Sequence, residues 1–259
     1  MSCFSFLKNS VWIVLILLTL SACGDKEDLY TDRKVEDLYN IAMDYYESKS
    51  FTKAAKAFSE VERQHPYSNW ALKGQLMSAF CHYQAKKYPE AVEAFNLFIQ
   101  LHPGHSEVAY AYYMIGLCHY EQIPIINRDQ KPGEDSLKAF QEITRRFPKS
   151  PYAKDAKFKI DLIYDHLAGK EISIGRFYQK QGSALAAINR FKEVVTHYEK
   201  SSHTPEALHR LVECYLSLGL KDEARATAAV LGHNFPHSEW YKDSYDLIKT
   251  SLSPSPKAH

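Results

Sequence analysis

The sequence has little glycine and proline and almost no net charge. Ten glycines and eleven prolines in 259 residues exclude a collagen-like or low-complexity chain. Of its 32 basic and 31 acidic side chains, Lys8 is the one that lies in the first 23 residues, so the remainder carries 31 of each sign. Proteins that bind polyanions concentrate positive charge, so a neutral chain argues against nucleic acid as a partner.

Signatures of catalysis are also missing from the sequence. It contains no GxSxG nucleophile motif, no phosphate-binding glycine loop and no dinucleotide fingerprint. Twelve histidines are present, yet no CxxC or HxxxH spacing supplies the converging ligands of a metal site. We therefore expect no enzymatic activity, no metal and no cofactor, with a periplasmic enzyme as a distant alternative.

Long apolar runs are confined to the N-terminus. Lys8 precedes an apolar run from Val11 to Leu20, which is too short to span a bilayer well, and small residues follow it. The ending Leu-Ser-Ala-Cys resembles a bacterial lipobox. This resemblance implies that residues 1–22 are a signal peptide and that Cys23 carries N-acyl and S-diacylglycerol lipid. A plain cleaved signal and an uncleaved anchor remain as alternatives. Residues 23–34 are interpreted as lipid anchor and polar tether.

Cysteine is scarce in the remainder of the chain. Without Cys3 and Cys23, three cysteines remain: Cys81, Cys118 and Cys214. Because three is an odd number, they cannot all be paired in a disulfide framework. We interpret them as small apolar residues of a helical core.

What the sequence does contain is an internal repeat with a period near 37 residues. A small residue is followed four positions later by an aromatic or small one, in five copies: Ala54–Phe58, Ala91–Phe95, Ser136–Phe140, Ala187–Phe191 and Ala224–Ala228. Proline follows most copies, and a serine comes soon after each: Ser68, Ser106, Ser150, Ser201 and Ser238. Upstream, Ala42, Ala79 and Gly116 each precede an aromatic residue by four positions.

Each copy predicts a helix, a short turn, a second helix and a stop. The small residues allow close helix approach, proline ends the second helix, and serine is a good N-cap for the next one. The pattern resembles the tetratricopeptide repeat (TPR). The predicted fold is all-α, a superhelical stack of about five TPR-like hairpins, with repeats 1–3 at residues 35–150 and repeats 4–5, including a long linking helix, at residues 151–250.

Two repeats depart from the pattern, and the C-terminus is polar. Residues 122–133 predict an exposed loop because they contain Pro124 and Pro132. Residues 168–170, Ala-Gly-Lys, predict a break between one helix at 152–167 and another at 171–181. Residues 251–259 predict a disordered tail.

The lipobox, the five units and the stretch from Leu162 to Gly182 together resemble the BamD (ComL) family. That family comprises lipoproteins of the β-barrel assembly machinery. The resemblance implies an outer-membrane location facing the periplasm and partners that include the POTRA region of a BamA-like barrel protein, other lipoproteins of the machine and unfolded outer-membrane proteins. It points to residues 210–220 for the BamA contact. Another TPR lipoprotein, such as a pilotin or a cell-envelope coordinator, is the alternative.

The TPR resemblance also predicts a binding face. In TPR stacks the first helix of each hairpin lines the concave surface. Candidates for contact with an extended peptide that ends in an aromatic residue are Tyr39, Met43, Tyr46, Phe80, Tyr83, Tyr110, Tyr113 and Tyr120. The alternative for each residue is a place in the core between repeats.

Overall fold

The computed structural model describes residues 32–123 and 131–252, which fold into eleven α-helices with no β-strand among them. The helices are α1 (Val35–Glu47), α2 (Phe51–Gln64), α3 (Asn69–Gln84), α4 (Tyr88–Leu101), α5 (Val108–Tyr120), α6 (Lys131–Arg146), α7 (Tyr152–Lys180), α8 (Ala184–His197), α9 (Thr204–Ser217), α10 (Lys221–Asn234) and α11 (Glu239–Leu252). The predicted signal peptide, the lipid attachment at Cys23 and most of the predicted tail lie outside the described residues.

The chain divides into two compact units, of which the first ends at Cys81 and the second begins at His82. In the first unit, α1 packs against α2. In the second, each helix from α4 to α10 packs on the next, and α5, α7, α9 and α11 also contact each other in succession. Contact between alternate helices is what stacked hairpins produce, so the predicted all-α, TPR-like fold is confirmed.

The repeated small and aromatic positions form the core of these hairpins. All ten residues of the five predicted pairs are buried, nine of them with no exposed surface. Gly116 shows why a small residue is required: a Cβ built there would lie 2.5 Å from Cε1 of Phe140. Gly175 stands in the same relation to Phe191. The aromatic ring therefore fills the space that the small residue leaves on the facing helix.

The turn inside four hairpins contains one residue with left-handed backbone geometry. The φ angles are 59° at Lys49, 58° at Lys86, 75° at Gly182 and 76° at Gly219. In each turn, the amide N–H of the following residue donates to a carbonyl five positions back, as in Ser50 to Tyr45 at 2.9 Å. This is the Schellman arrangement, for which glycine is the favoured residue. Two repeats therefore use lysine where glycine would be free of strain.

Serine caps the start of the following helix in three repeats. The Oγ atom of Ser68 accepts from the amide of Ala71 at 3.1 Å, and Ser150 and Ser201 accept at 3.2 and 3.1 Å. The prediction for Ser106 is wrong, because the amide of Glu107 donates to Nδ1 of His105 instead, at 3.1 Å. His105 also occupies the backbone position of the other capping serines, four residues after the last residue of the preceding helix.

Two predicted interruptions are also wrong in part. Helix α7 is continuous over 29 residues, so residues 168–170 are not a break. Ala168 and Gly169 are buried within the helix, and the packing of this small-residue face outweighs the low helix propensity of one glycine, about 1 kcal/mol. At the predicted loop, α6 begins at Lys131 and Gly133 is buried; residues 124–130 lie outside the described part.

The three cysteines of the described residues are buried, and no described helix is a candidate membrane span. Cys81, Cys118 and Cys214 are free thiols in the interior, which confirms their interpretation as core residues. Burial raises the pKa of Cys81 and Cys118 to about 12 and that of Cys214 to about 11, so these thiols stay protonated. Within residues 32–252, no described helix is both long and apolar enough to cross a bilayer.

Candidate functional site

In the first unit, the candidate residues form one set of half-buried side chains. Tyr39, Met43 and Tyr46 lie at helical spacing on one face of α1 and pack beside the buried core of this unit. Phe80 on α3 joins them, with its ring centroid 6.3 Å from that of Tyr46. We call the three aromatic residues Tyr39, Tyr46 and Phe80, together with Met43, the first-unit aromatic set.

Neighbouring rings hold the two tyrosines of this set in place. Tyr39 lies edge-on to Phe58 at 5.3 Å and 4.7 Å from Trp70, and burial raises the pKa of its hydroxyl. Tyr46 contacts Phe51 at 5.8 Å. Each side chain is therefore fixed on one side by the core while part of it remains exposed. Such a ring can contact a ligand without losing further conformational freedom.

In the second unit, Tyr110 and Tyr113 meet through a third ring that the sequence reasoning missed. Tyr152, at the start of α7, stacks on Tyr113 at 5.1 Å and lies 5.6 Å from Tyr110. The hydroxyl of Tyr113 donates to Oδ2 of Asp155 at 2.6 Å. Burial, followed by this hydrogen bond, raises the pKa of Tyr113. Tyr113 therefore joins α5 to α7, as expected for a residue between repeats.

The remaining two candidates lie in different surroundings. Tyr120 is half-buried, and the ammonium group of Lys159 on α7 lies 4.7 Å from its ring centroid. This cation–π contact covers one face of the ring. Tyr83 lies 5.9 Å from Tyr88, and burial raises the pKa of its hydroxyl. Tyr152, Asp155 and Lys159 all lie in the first turns of α7, which the repeat pattern identifies as the first helix of the fourth hairpin.

Around Arg210, the structure contains an ionic network and not an open surface. Arg176 on α7 donates from Nε to Glu206 at 2.6 Å, and Arg210 donates from Nη1 to Glu213 at 2.8 Å. The guanidinium of Arg210 also lies over the ring of Trp240 on α11, 5.5 Å from its centroid. The side chain of Arg210 therefore connects α9 with α11.

Glu213 has the most perturbed carboxyl group of this network. Its burial alone would raise the pKa, yet hydrogen bonds from His209, Gln179 and Arg210 lower it to about 2. The amide of Gln179 donates to Glu213 at 2.9 Å. On its other side, His209 contacts the hydroxyl of Ser244 on α11 at 2.8 Å through Nδ1. This arrangement favours a permanently charged structural carboxylate, because a group poised for proton transfer has a pKa near 7.

The described residues do not assemble a metal centre. Among residues 32–123 and 131–252, no three histidine, cysteine or acidic side chains are placed to hold a metal ion. Burial lowers the pKa of His82 and of His119, which disfavours their charged forms. Stacked hairpins that present half-exposed aromatic side chains define a helical-repeat scaffold protein.

Comparison with known proteins identifies which scaffold family this is. A family model described as outer membrane lipoprotein (YfiO) matches residues 31–231. The outer membrane protein assembly factor BamD of Caulobacter vibrioides is 45% identical over 91% of this chain and 78% of its own length. The BamD of Rickettsia prowazekii is 42% identical over 92% and 95%. The chain belongs to the BamD (YfiO) family of outer-membrane lipoproteins. It is thus a non-catalytic assembly factor of the outer membrane and a component of the β-barrel assembly complex.

A more distant relative and a solved structure also match this chain. The BamD of Neisseria meningitidis serogroup A is 34% identical over 90% of this chain and 93% of its own length. Among solved structures, a TPR domain of yeast Sti1 in complex with pHSP90 covers 84% of each chain at 10% identity, with a TM-score of 0.42. Family membership decides against the alternative of a pilotin or a cell-envelope coordinator.

Proposed function

We propose that this chain is the lipid-anchored, periplasm-facing scaffold of the assembly complex, which binds the POTRA region of a BamA-like protein and the C-terminal signal of unfolded outer-membrane proteins. Cys23, bearing N-acyl and S-diacylglycerol lipid, provides the anchor. The first-unit aromatic set binds the signal peptide. The exposed turn between α9 and α10 contacts the POTRA region.

The anchor proposal is supported by the lipobox and by the family description as an outer membrane lipoprotein. Each buried methylene group contributes about 0.8 kcal/mol, so one acyl chain holds a protein weakly while two or three hold it firmly. Replacement of Cys23 by alanine should release the protein from the membrane fraction. Retention of this variant in washed membranes would favour an uncleaved N-terminal anchor.

The signal-peptide proposal is carried by one observation: the four members of the first-unit aromatic set are neither fully buried nor fully exposed. A fully buried ring is unavailable to a ligand, and an isolated exposed ring lacks support. Half-buried side chains that the core holds in place resemble the preorganised anchors that contribute most to protein recognition. An extended strand that ends in an aromatic residue offers a complementary apolar group.

Fluorescence anisotropy tests this proposal with a labelled peptide that copies the last ten residues of a barrel protein ending in phenylalanine. Tyr46→Ala should weaken binding about tenfold, as expected for one recognition anchor. Tyr67→Ala is the matched control because Tyr67 is fully exposed in a turn of the same unit. Circular dichroism checks that both variants fold. Equal affinity of the wild type and a folded Tyr46→Ala variant would contradict the proposal.

For the POTRA contact, we propose a smaller part of the segment 210–220. Arg210 is occupied by the ionic network, whereas Leu218 and Leu220 flank the left-handed Gly219 with 40% and 39% of their surface exposed. Two exposed leucines on one turn form an apolar patch. Exposing this patch to water does not stabilise the monomer, so we expect a partner to cover it. We therefore assign the contact to this turn.

Co-purification from detergent-solubilised membranes tests this assignment. Changing both Leu218 and Leu220 to aspartate should abolish recovery of the barrel protein with POTRA domains. The same change at Leu97 and Leu101, two exposed leucines of α4, should leave recovery unaltered. Loss of the partner with both double variants would indicate a general effect of added charge and would refute the assignment.

A further inference from the structure

Positive charge is concentrated at the turn between α6 and α7. Residues 145–159 contain six basic side chains and one acidic one, Asp155, although the net formal charge of the whole chain is only +1. Asp155 is engaged by the hydroxyl of Tyr113. The local excess of positive charge is therefore not neutralised within the segment, and it creates a field that attracts anionic groups.

The same turn lines an open groove of about 440 Å³. One wall comes from the start of α5, at Glu107 and Ala109, and the other from Phe147, Pro148 and Pro151. Arg146, Lys149 and Tyr152 also line the groove, together with Ser106 and Ser150. The groove thus combines apolar surface with two cationic side chains. It fits a ligand that has an apolar group and anionic groups.

Arg146 is held in position, yet it retains hydrogen-bonding capacity. Its guanidinium lies over the rings of Tyr112 and Phe147, 5.4 and 5.3 Å from their centroids, and Nη1 donates to the Tyr112 hydroxyl at 2.9 Å. Glu142, the carboxylate near it, is 3.9 Å from Nη1 and is held by Arg145 at 2.7 and 2.8 Å. A preorganised guanidinium with unused donors is well suited to a carboxylate.

We propose that this groove, the α6–α7 groove, docks an acidic segment of a partner protein that carries adjacent carboxylates and one apolar side chain. The carboxylates bind Arg146 and Lys149, and the apolar side chain packs against Phe147, Pro148 and Pro151. Lys149 is exposed and forms no ion pair within the described part of the chain. Charge complementarity thus identifies the ligand as acidic, unlike the aromatic-ended signal proposed for the first unit.

A polypeptide fits the groove better than a lipid surface does. The groove is recessed between two helical elements, so it admits a side chain. The carboxylate of Glu107 on one wall would repel a continuous layer of anionic headgroups. Separate carboxylates on a peptide can still reach Arg146 on its side of the groove. A membrane contact instead favours a flat face with basic residues on all sides.

The test uses the full-length lipoprotein in neutral detergent and a fluorescein-labelled peptide, Gly-Glu-Glu-Leu-Asp-Glu-Gly amide, at low salt. We expect saturable binding that an otherwise identical peptide with glutamine and asparagine does not show. Arg146→Gln and Lys149→Gln should each weaken binding about tenfold, as expected for loss of one charge-assisted contact. Arg145→Gln, which removes the same charge from the adjacent but already paired residue, should change affinity by about twofold or less.

Three outcomes would overturn the proposal. Absence of saturable binding by the acidic peptide is the first. Equal weakening by Arg145→Gln and Arg146→Gln would show that overall charge, not the groove, attracts the peptide. Binding to phosphatidylglycerol vesicles that depends on Lys149, with no peptide binding, would assign the patch to lipid. Since Lys149 is exposed and forms no ion pair within the described part of the chain, its variant keeps the test valid even if Arg146→Gln proves unstable.

Discussion

Replacement of Gly116 by alanine sets two opposing effects against each other, and the structure decides their sum. Alanine is favoured over glycine in a helix interior by about 1 kcal/mol. The added Cβ would, however, lie 2.5, 2.8 and 2.9 Å from three ring carbons of Phe140, whose side chain is fully buried. The ring must move by nearly 1 Å in a packed core, and such overpacking costs about 1–3 kcal/mol. Because the clash is severe, we expect the upper end and a net loss of about 2 kcal/mol.

Urea denaturation followed by circular dichroism measures this effect. Gly104→Ala is the control, because a Cβ there meets nothing within 4 Å and the variant should be neutral or slightly stabilised. Adding Phe140→Leu to Gly116→Ala should restore part of the loss, with a coupling of about 1 kcal/mol or more. A Gly116→Ala variant that matches or exceeds the wild type in stability would refute the reasoning on small-to-aromatic packing.

Further predictions concern a turn, a cap and the ionic network. Lys49→Gly should stabilise the protein by about 1 kcal/mol, and Gly182→Ala should destabilise it by a similar amount, because left-handed backbone geometry is unfavourable for residues with a side chain. If both variants shifted the urea midpoint in the same direction, this prediction would be contradicted. Ser68→Ala should cost about 1 kcal/mol through its lost cap, whereas Ser106→Ala should cost nothing; equal losses would refute the observed capping register. Glu213 stabilises the fold above its ordinary pKa of 4.5, and this contribution, on the order of 2 kcal/mol, should be lost as pH falls towards 2. Acid denaturation of Glu213→Gln should lack that dependence, and an unchanged profile would contradict the role assigned to the network.

The fold was predictable because the repeat is expressed in residues that end up buried. Phe58, Phe95, Phe140 and Phe191 recur beside small residues, and such pairs identify both the helices and their facing surfaces. The continuity of α7 was not predictable from local sequence. Gly169 lowers helix propensity, and the burial that compensates for it depends on helices distant in the chain.

The binding candidates show where sequence periodicity stops being informative. Helical spacing places Tyr39, Tyr46 and Tyr113 on comparable faces of their helices. Their neighbours make them different: the hydroxyl of Tyr113 is bonded to Asp155, more than forty residues away, whereas Tyr46 is half-buried and contacts the rings of Phe51 and Phe80. The cap at His105 was missed for a similar reason, since a histidine ring accepted the hydrogen bond expected for serine.

Purification of the tagged lipoprotein from gently solubilised outer membranes tests the central claim most directly. If the chain is a scaffold of the assembly complex, a barrel protein with POTRA domains should co-purify in fixed proportion. Changing both Leu218 and Leu220 to aspartate should then remove that partner while the protein remains folded and membrane-bound. Recovery of the wild-type chain without any such barrel protein would contradict the account.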